Sequence, residues 1–348
     1  MSVMRPAAGH SQGKPARVLD RSRLAADIRS LSEISDGYAF FAIAREWLLV
    51  AVSVGLAVSS GHPLAWICAG VFIATRQHAM LVLMHDAAHH RLTRSRWLND
   101  FLGDVFLGLP SNVLLRRYRI RHGAHHRYAN DHTRDPDRAS IAADDQWHFP
   151  RTRMSGLMVF ARDLLGLNAG RAVKVVMLYS PGPVVAGRLG SAPVDASPAD
   201  APATNAELVR LGIYGAALLA LLGSTGGWGV YLALWVLPSL TVLPALLRLR
   251  GISEHEGDVG TDEVSVSRHV HAGLAEAAVI SPFHINFHTA HHLFPSVPWY
   301  NLPALHARLL EEPAYRQRLV TAPSYTGPGG VMDELMPATH PAPAALAT

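Results

Sequence analysis

Cysteine is nearly absent from this 348-residue chain: Cys68 stands alone, so no intrachain disulfide can form and thiolate-cluster metal sites are excluded. Charge is scarce as well. Asp, Glu, Lys and Arg make up 17% of the residues and hydrophobic types 49%, whereas soluble domains carry roughly 25% charged residues. That balance argues against two soluble domains and for one polytopic membrane domain. The formal charge of +4 comes from arginines gathered between apolar runs. No basic stripe for nucleic acid emerges; arginines flanking membrane spans belong on the cytoplasmic side. The stretch from Met1 to about Asp36 lacks the charged, apolar and cleavage regions of a signal peptide and reads as a cytoplasmic tail, residues 1–37.

Histidine is plentiful and patterned. His288, His291 and His292 form H-x-x-H-H, His122, His125 and His126 repeat it, and His85 and His89 form H-x-x-x-H. With 20 histidines in 348 residues, one chance H-x-x-H-H is expected roughly 0.06 times. Positions i, i+3 and i+4 share a helix face, so each triplet is expected to converge on one point, as metal ligands do. His90 is rotated off that face. Eight imidazoles exceed the four ligands of one tetrahedral ion and suggest two metals, although imidazole alone does not choose among Fe, Zn, Cu and Ni.

Apolar runs at about 38–60 and 64–84, joined by Ser59 to Pro63, predict one helical hairpin. Arg45 and Glu46 interrupt the first and must sit at the interface or face the interior. Runs at about 208–223 and 227–247, joined by Ser224 to Gly226, predict a second hairpin, with Pro238 and Pro244 kinking the last span. Residues 97–115 are broken by Asp100, Asp104 and Pro110 and suit an interfacial or re-entrant helix, and residues 154–177 suit the membrane surface. Residues 182–204 read as a flexible loop, and residues 325–348, rich in Pro, Ala and Gly, as a disordered tail. The expected fold is therefore all-α and integral to the membrane, with four transmembrane helices in two hairpins, interfacial helices and a cytosolic histidine-box cap. The main domain covers 38–324, and every box lies on one face of an inner membrane.

A histidine-lined dinuclear site at a bilayer face is well placed to act on an acyl chain. Alkyl C–H bonds have no acidic proton, so oxidising them calls for a redox metal and O2. The three boxes, in this order and separated by two hairpins, resemble those of the membrane fatty acid desaturase superfamily, which includes hydroxylases and carotenoid ketolases. Finer matches are Arg76, Asp135-Pro-Asp137, Glu254-His255, Asn286-x-His288 and the run from His292 to His306. The resemblance covers about residues 38–320.

It implies a non-haem di-iron centre that activates O2 with electrons from a separate ferredoxin, rubredoxin or cytochrome, because no His-Pro-Gly-Gly signature of a fused cytochrome b5 is present. It implies His85, His89, His122, His125, His126, His288, His291 and His292 as iron ligands. His255 is the candidate ninth. Asp86, Glu254, His284 and Asn286 are candidates for orienting those ligands through hydrogen bonds. The leading activity is acyl-chain desaturation on an acyl lipid, acyl-CoA or acyl carrier protein, with hydroxylation or ketolation as the alternative within the superfamily. A zinc-dependent lipid hydrolase would need fewer histidines and a carboxylate partner. A metal carrier would need a polar path across the bilayer.

Overall fold

The computed structural model describes residues 14–189 and 201–338. Four helices in it are long and apolar enough to cross a membrane: Asp36–Ser60, Pro63–Ala88, Asn205–Thr225 and Trp228–His255. Two-residue turns join them in pairs, each around a glycine in the left-handed region, Gly61 at φ 60° and Gly226 at φ 64°, which a side chain would strain. Among the described residues the fold is all-α apart from two three-residue parallel strands, Arg268–Val270 and Val320–Ala322.

The second span is the inner one. Its most apolar window is 72% buried, against 6% for the third span, so the others turn most of their surface to lipid. At 26 residues it is ~39 Å long, enough for its last turns to extend past a hydrocarbon core of ~30 Å. Charges inside the bundle are paired. Glu46, fully buried, accepts from Arg76 at 3.1 Å and from half-exposed Arg45 at 2.5 Å, which answers how the first span tolerates its charged interruption. Arg76 also donates to the Ala278 carbonyl at 2.7 Å.

The fourth span is interrupted where its two prolines are expected to kink it, by a full break as well as a π-helical turn. A π-helical turn covers Leu232–Val236, and the helix breaks at Thr241 (φ −125°, ψ −76°), between Pro238 and Pro244. Each proline removes an N–H and frees a carbonyl one turn earlier, so the ladder gives way between them. The Gln77 side chain donates to the Trp235 carbonyl at 2.9 Å, supplying a partner where water is absent. Residues 96–111 form a continuous series of α, π and 3₁₀ turns; the buried Asp104 at its centre accepts from Leu115 N–H at 2.8 Å and pairs with Arg210 at 2.6 Å. Helices Arg153–Leu164 and Ala169–Tyr179 and the turn between them expose Met154, Leu157, Met158, Leu165 and Leu167, in keeping with a membrane-surface position.

Three expectations about chain ends and loops change. The N-terminal segment is no free tail from Lys14 onward: Leu24, Ile28 and Leu31 make an i, i+4, i+7 stripe on helix Arg21–Leu31 that packs with Leu293, Leu302 and Leu305. Tyr325, Val331 and Leu335 are buried, so the C-terminal segment is packed to residue 338. Its proline and glycine content hid a short apolar stripe. Within 182–204, Gly182–Arg188 is helical and Thr204 caps the third span through a reciprocal bond with Glu207; residues 190–200 and 339–348 lie outside the described residues.

Replacing Glu46 with Ala would leave Arg76 buried without its counter-charge. Thermal unfolding in detergent is expected to show a loss of about 3–5 kcal/mol. An unchanged melting curve would mean the pair is not what holds the first two spans together.

Candidate metal centre

The second span delivers His85 in its final turn and His89 at its C-terminal cap. Helix Leu115–Tyr128 delivers His122, His125 and His126, the last residue of the fourth span is His255, and the short helix His288–Leu293 brings His288, His291 and His292. These rings assemble at one end of the bundle into two adjoining groups. His85, His89, His122, His126 and His291 form one, and His125, His255, His288 and His292 form the other, with ligand nitrogens in each within 4.8 Å of one another.

The expectation that each H-x-x-H-H triplet converges on one point is therefore corrected. Successive helical residues turn by about 100°, so i+4 lies some 40° to one side of i and i+3 some 60° to the other. His122 and His126 accordingly face the first group and His125 the second. On the other helix, His288 and His292 face the second group and His291 the first. Each triplet divides between two centres, which ties the centres together.

Ring nitrogens crowd inward. Nε2–Nε2 separations are 2.9 Å for His122 and His126, 3.1 Å for His126 and His291, 3.2 Å for His125 and His255, and 2.9 Å for His255 and His288. Both nitrogens of His85, Nε2 of His89 and His292, and Nδ1 of His126, His288 and His291 are buried without a hydrogen-bond partner. Orphaned polar atoms cost about 1–3 kcal/mol each, and in each group one nitrogen per ring lies within 4.8 Å of the others, an arrangement that fits a cation accepting one lone pair from each imidazole. The all-nitrogen donor sets fit two transition-metal ions.

Carboxylates stand one layer out. His125 Nδ1–H donates to Asp135 at 3.0 Å, and Asp135 is held in turn by the N–H groups of Asn130 and Asp137, both at 2.9 Å. His255 Nδ1–H donates to the Val266 carbonyl at 3.2 Å. Both bonds fix the tautomer that aims Nε2 into the second group. Burial and neighbouring imidazoles hold His122, His126, His288, His291 and His292 well below the ordinary histidine range. Burial and then Arg119 bring His89 to about 3. Burial also pulls His125 down, but the Asp135 charge and hydrogen bond, helped by Asp137, prevail and raise it to about 9.

Among the other expected residues, Asp86 is buried with Oδ1 3.7 Å from His85 Nδ1, while Oδ2 accepts from Trp299 N–H at 2.8 Å. Glu254 pairs with Arg250 at 2.7 Å and lies 3.5 Å from His288 Nδ1. The Asn286 side chain is bonded to no imidazole of either group; its amide donates to the Val270 carbonyl at 3.0 Å and so holds the strand Arg268–Val270 in place. His284 is exposed and outside both groups. Positive φ at Phe283 and His284 breaks the helix that would have aligned it with His288. Sequence reasoning gave no role to Asp135, although it begins the Asp-Pro-Asp run ten residues after His125, nor to Tyr118, whose ring stacks on His122 one helical turn away.

With the geometry in place, comparison with known proteins decides the family. The profile of the fatty acid desaturase family matches residues 61–323. The chain belongs to the fatty acid desaturase family. Among curated relatives, an sn-1 oleoyl-lipid 12-desaturase of Arthrospira platensis is 23% identical across 74% of this chain and 74% of its own length. A dihydrorhizobitoxine desaturase of Bradyrhizobium elkanii is 24% identical across 73% of this chain and 69% of its own. An sn-1 oleoyl-lipid 12-desaturase of Anabaena variabilis is 29% identical, but over only 30% of this chain and 28% of that protein.

A metal titration against a competing chelator is expected to resolve two steps. A raised pKa keeps His125 protonated at pH 7, so binding at its group displaces one proton, and affinity there rises about tenfold per pH unit from pH 6 to 8. The five-histidine group, with its lowered imidazoles, should be flat over that range. Asp135→Asn should weaken the second group about 10–100-fold and flatten its slope; equal slopes for both steps in the native protein would contradict the assignment.

Proposed function

We propose that the protein is an O2-dependent oxidoreductase that inserts a double bond into the acyl chain of a membrane lipid, using two irons held by the two histidine groups on the cytoplasmic face. The single observation that carries the reading is the pair of adjoining clusters that hold nine imidazoles between them, with the carboxylates Asp135 and Asp137 grouped on His125 alone. A hydrolytic zinc site keeps fewer protein ligands and an open position for water, which nine imidazoles in two groups do not match. Iron bound there would supply the O2 activation that removal of hydrogen from an alkyl carbon requires.

The chain's own residues position the substrate. A cavity of about 260 Å³ is lined by His122, His125, His255 and His288 together with Tyr118 and Trp147. A second, of about 230 Å³, continues through the shared residues Tyr118, Trp147, Val175, Tyr179 and Leu247 to Leu81, Met84, Val113 and Leu243. Its walls are predominantly apolar and suit a hydrocarbon segment that leads toward the histidine-lined cavity. The amphipathic helix Ala169–Tyr179 forms one wall and exposes Val173 and Met177 toward the membrane surface, a setting from which a chain could be drawn out of the bilayer. The relatives named as lipid desaturases support a lipid substrate, and an sn-1 acyl-lipid omega-3 desaturase (ferredoxin) of Synechocystis, 24% identical across 69% of this chain and 65% of that protein, supports a separate iron–sulfur donor.

Mass spectrometry of lipids and acyl carriers from cells making the protein, compared with a His125→Ala control, tests this reading. Lipid species lacking two hydrogens are expected only with the intact protein. Species gaining one oxygen would instead identify a hydroxylase. Cleaved lipids that persist without O2 would replace the oxidative reading with a hydrolytic one.

A further inference from the structure

The substrate cavity approaches the histidines from one side; a separate cavity reaches them from another. This third space, about 380 Å³, is lined at its floor by His126 and His292 and at its walls by Lys14, Arg17, Arg21 and Arg127. His126 and His292 belong to different ligand groups, and both are half-buried while the other members of the second group are fully buried. Their rings stack on each other, centroids 4.2 Å apart and 21° from parallel. Anything seated in this funnel would therefore meet the edges of both groups at once.

The walls are cationic. Among the described residues Glu263 is the one acidic group in the lining, and it is already engaged: Arg21 pairs with it at 2.7 Å, and the N–H groups of Val18 and Leu19 donate to it at 2.9 and 3.0 Å. Lys14, Arg17 and Arg127 are exposed and face solvent. An outward-facing positive rim around a site accelerates and orients the approach of a negatively charged partner.

The proposed oxidation needs such a partner. Removing two hydrogens from adjacent carbons yields two electrons and two protons, whereas reducing O2 to two waters takes four of each. Two electrons must arrive from two one-electron carriers, each oxidised once, and two protons from solvent. We infer that the funnel walled by Lys14, Arg17 and Arg127 is the docking surface for a small acidic iron–sulfur electron carrier, which delivers its electrons at the stacked His126 and His292 edges. This rests on the oxidative reading of the site and adds where, and to what chemistry of partner, the chain opens. The packed N-terminal segment thereby gains a role, since helix Arg21–Leu31 and the residues before it build one wall of the funnel.

Binding measures this without turnover, so its failure and the failure of the oxidative reading are separable. Purified full-length protein in neutral-lipid nanodiscs is titrated with a small acidic [2Fe–2S] protein at low and at physiological salt. Binding is expected to weaken at least tenfold on raising the salt and at least tenfold in the triple variant Lys14→Glu, Arg17→Glu, Arg127→Glu, while Arg96→Glu, on a helix outside the funnel, binds as the native protein does. Matched thermal melts show that the triple variant is folded; if it is not, Arg17→Glu alone, on an exposed coil, is expected to weaken binding several-fold. Carrier binding unchanged in the folded variants would overturn the inference. So would loss of affinity for anionic vesicles with carrier affinity intact, which would make the rim a membrane contact.

Discussion

Burying nine imidazoles side by side strips water from nitrogens that have few other partners, and much of the molecule is arranged around that cost. The second span is long enough to carry His85 and His89 past a hydrocarbon core of about 30 Å, and the fourth span ends on His255. Asp135 and the Val266 carbonyl turn their imidazoles inward. The ring nitrogens crowded into the two groups are tolerable in a folded protein if cations take one lone pair from each imidazole.

The division of each H-x-x-H-H triplet has a structural consequence beyond ligand count. A single helix contributes to both groups, so neither can shift without the other, and the spacing of the two centres is set by backbone geometry rather than by loops. The same arrangement leaves one side of the pair facing a cavity of mixed, partly charged lining that runs on into the more apolar one, and another facing the cationic funnel. On the function proposed above, hydrocarbon and electron carrier would use different openings, so that the substrate carbons could stay dry while electrons enter.

Much of this was legible in the residues. The hairpins follow from apolar runs punctuated by Gly61 and Gly226, and eight of the nine clustered histidines follow from repeated spacing. His255 needed the resemblance, because a lone histidine after a span has no pattern of its own. The partition into two groups was also inherent in helical geometry, but treating i+3 and i+4 as one face concealed it. His284 was misplaced because its alignment assumed a helix that Phe283 interrupts with positive φ. The packed ends escaped notice for a different reason: their stripes, Leu24 with Ile28 and Tyr325 with Val331, are short and become meaningful only against partners distant in sequence.

Anomalous diffraction from crystals of the iron-loaded protein, collected on both sides of the iron edge, tests the central claim most directly. Two separate iron peaks are expected, one enclosed by His85, His89, His122, His126 and His291 and the other by His125, His255, His288 and His292. A single peak, or a peak ligated by all three histidines of one H-x-x-H-H triplet, would contradict the divided-triplet centre.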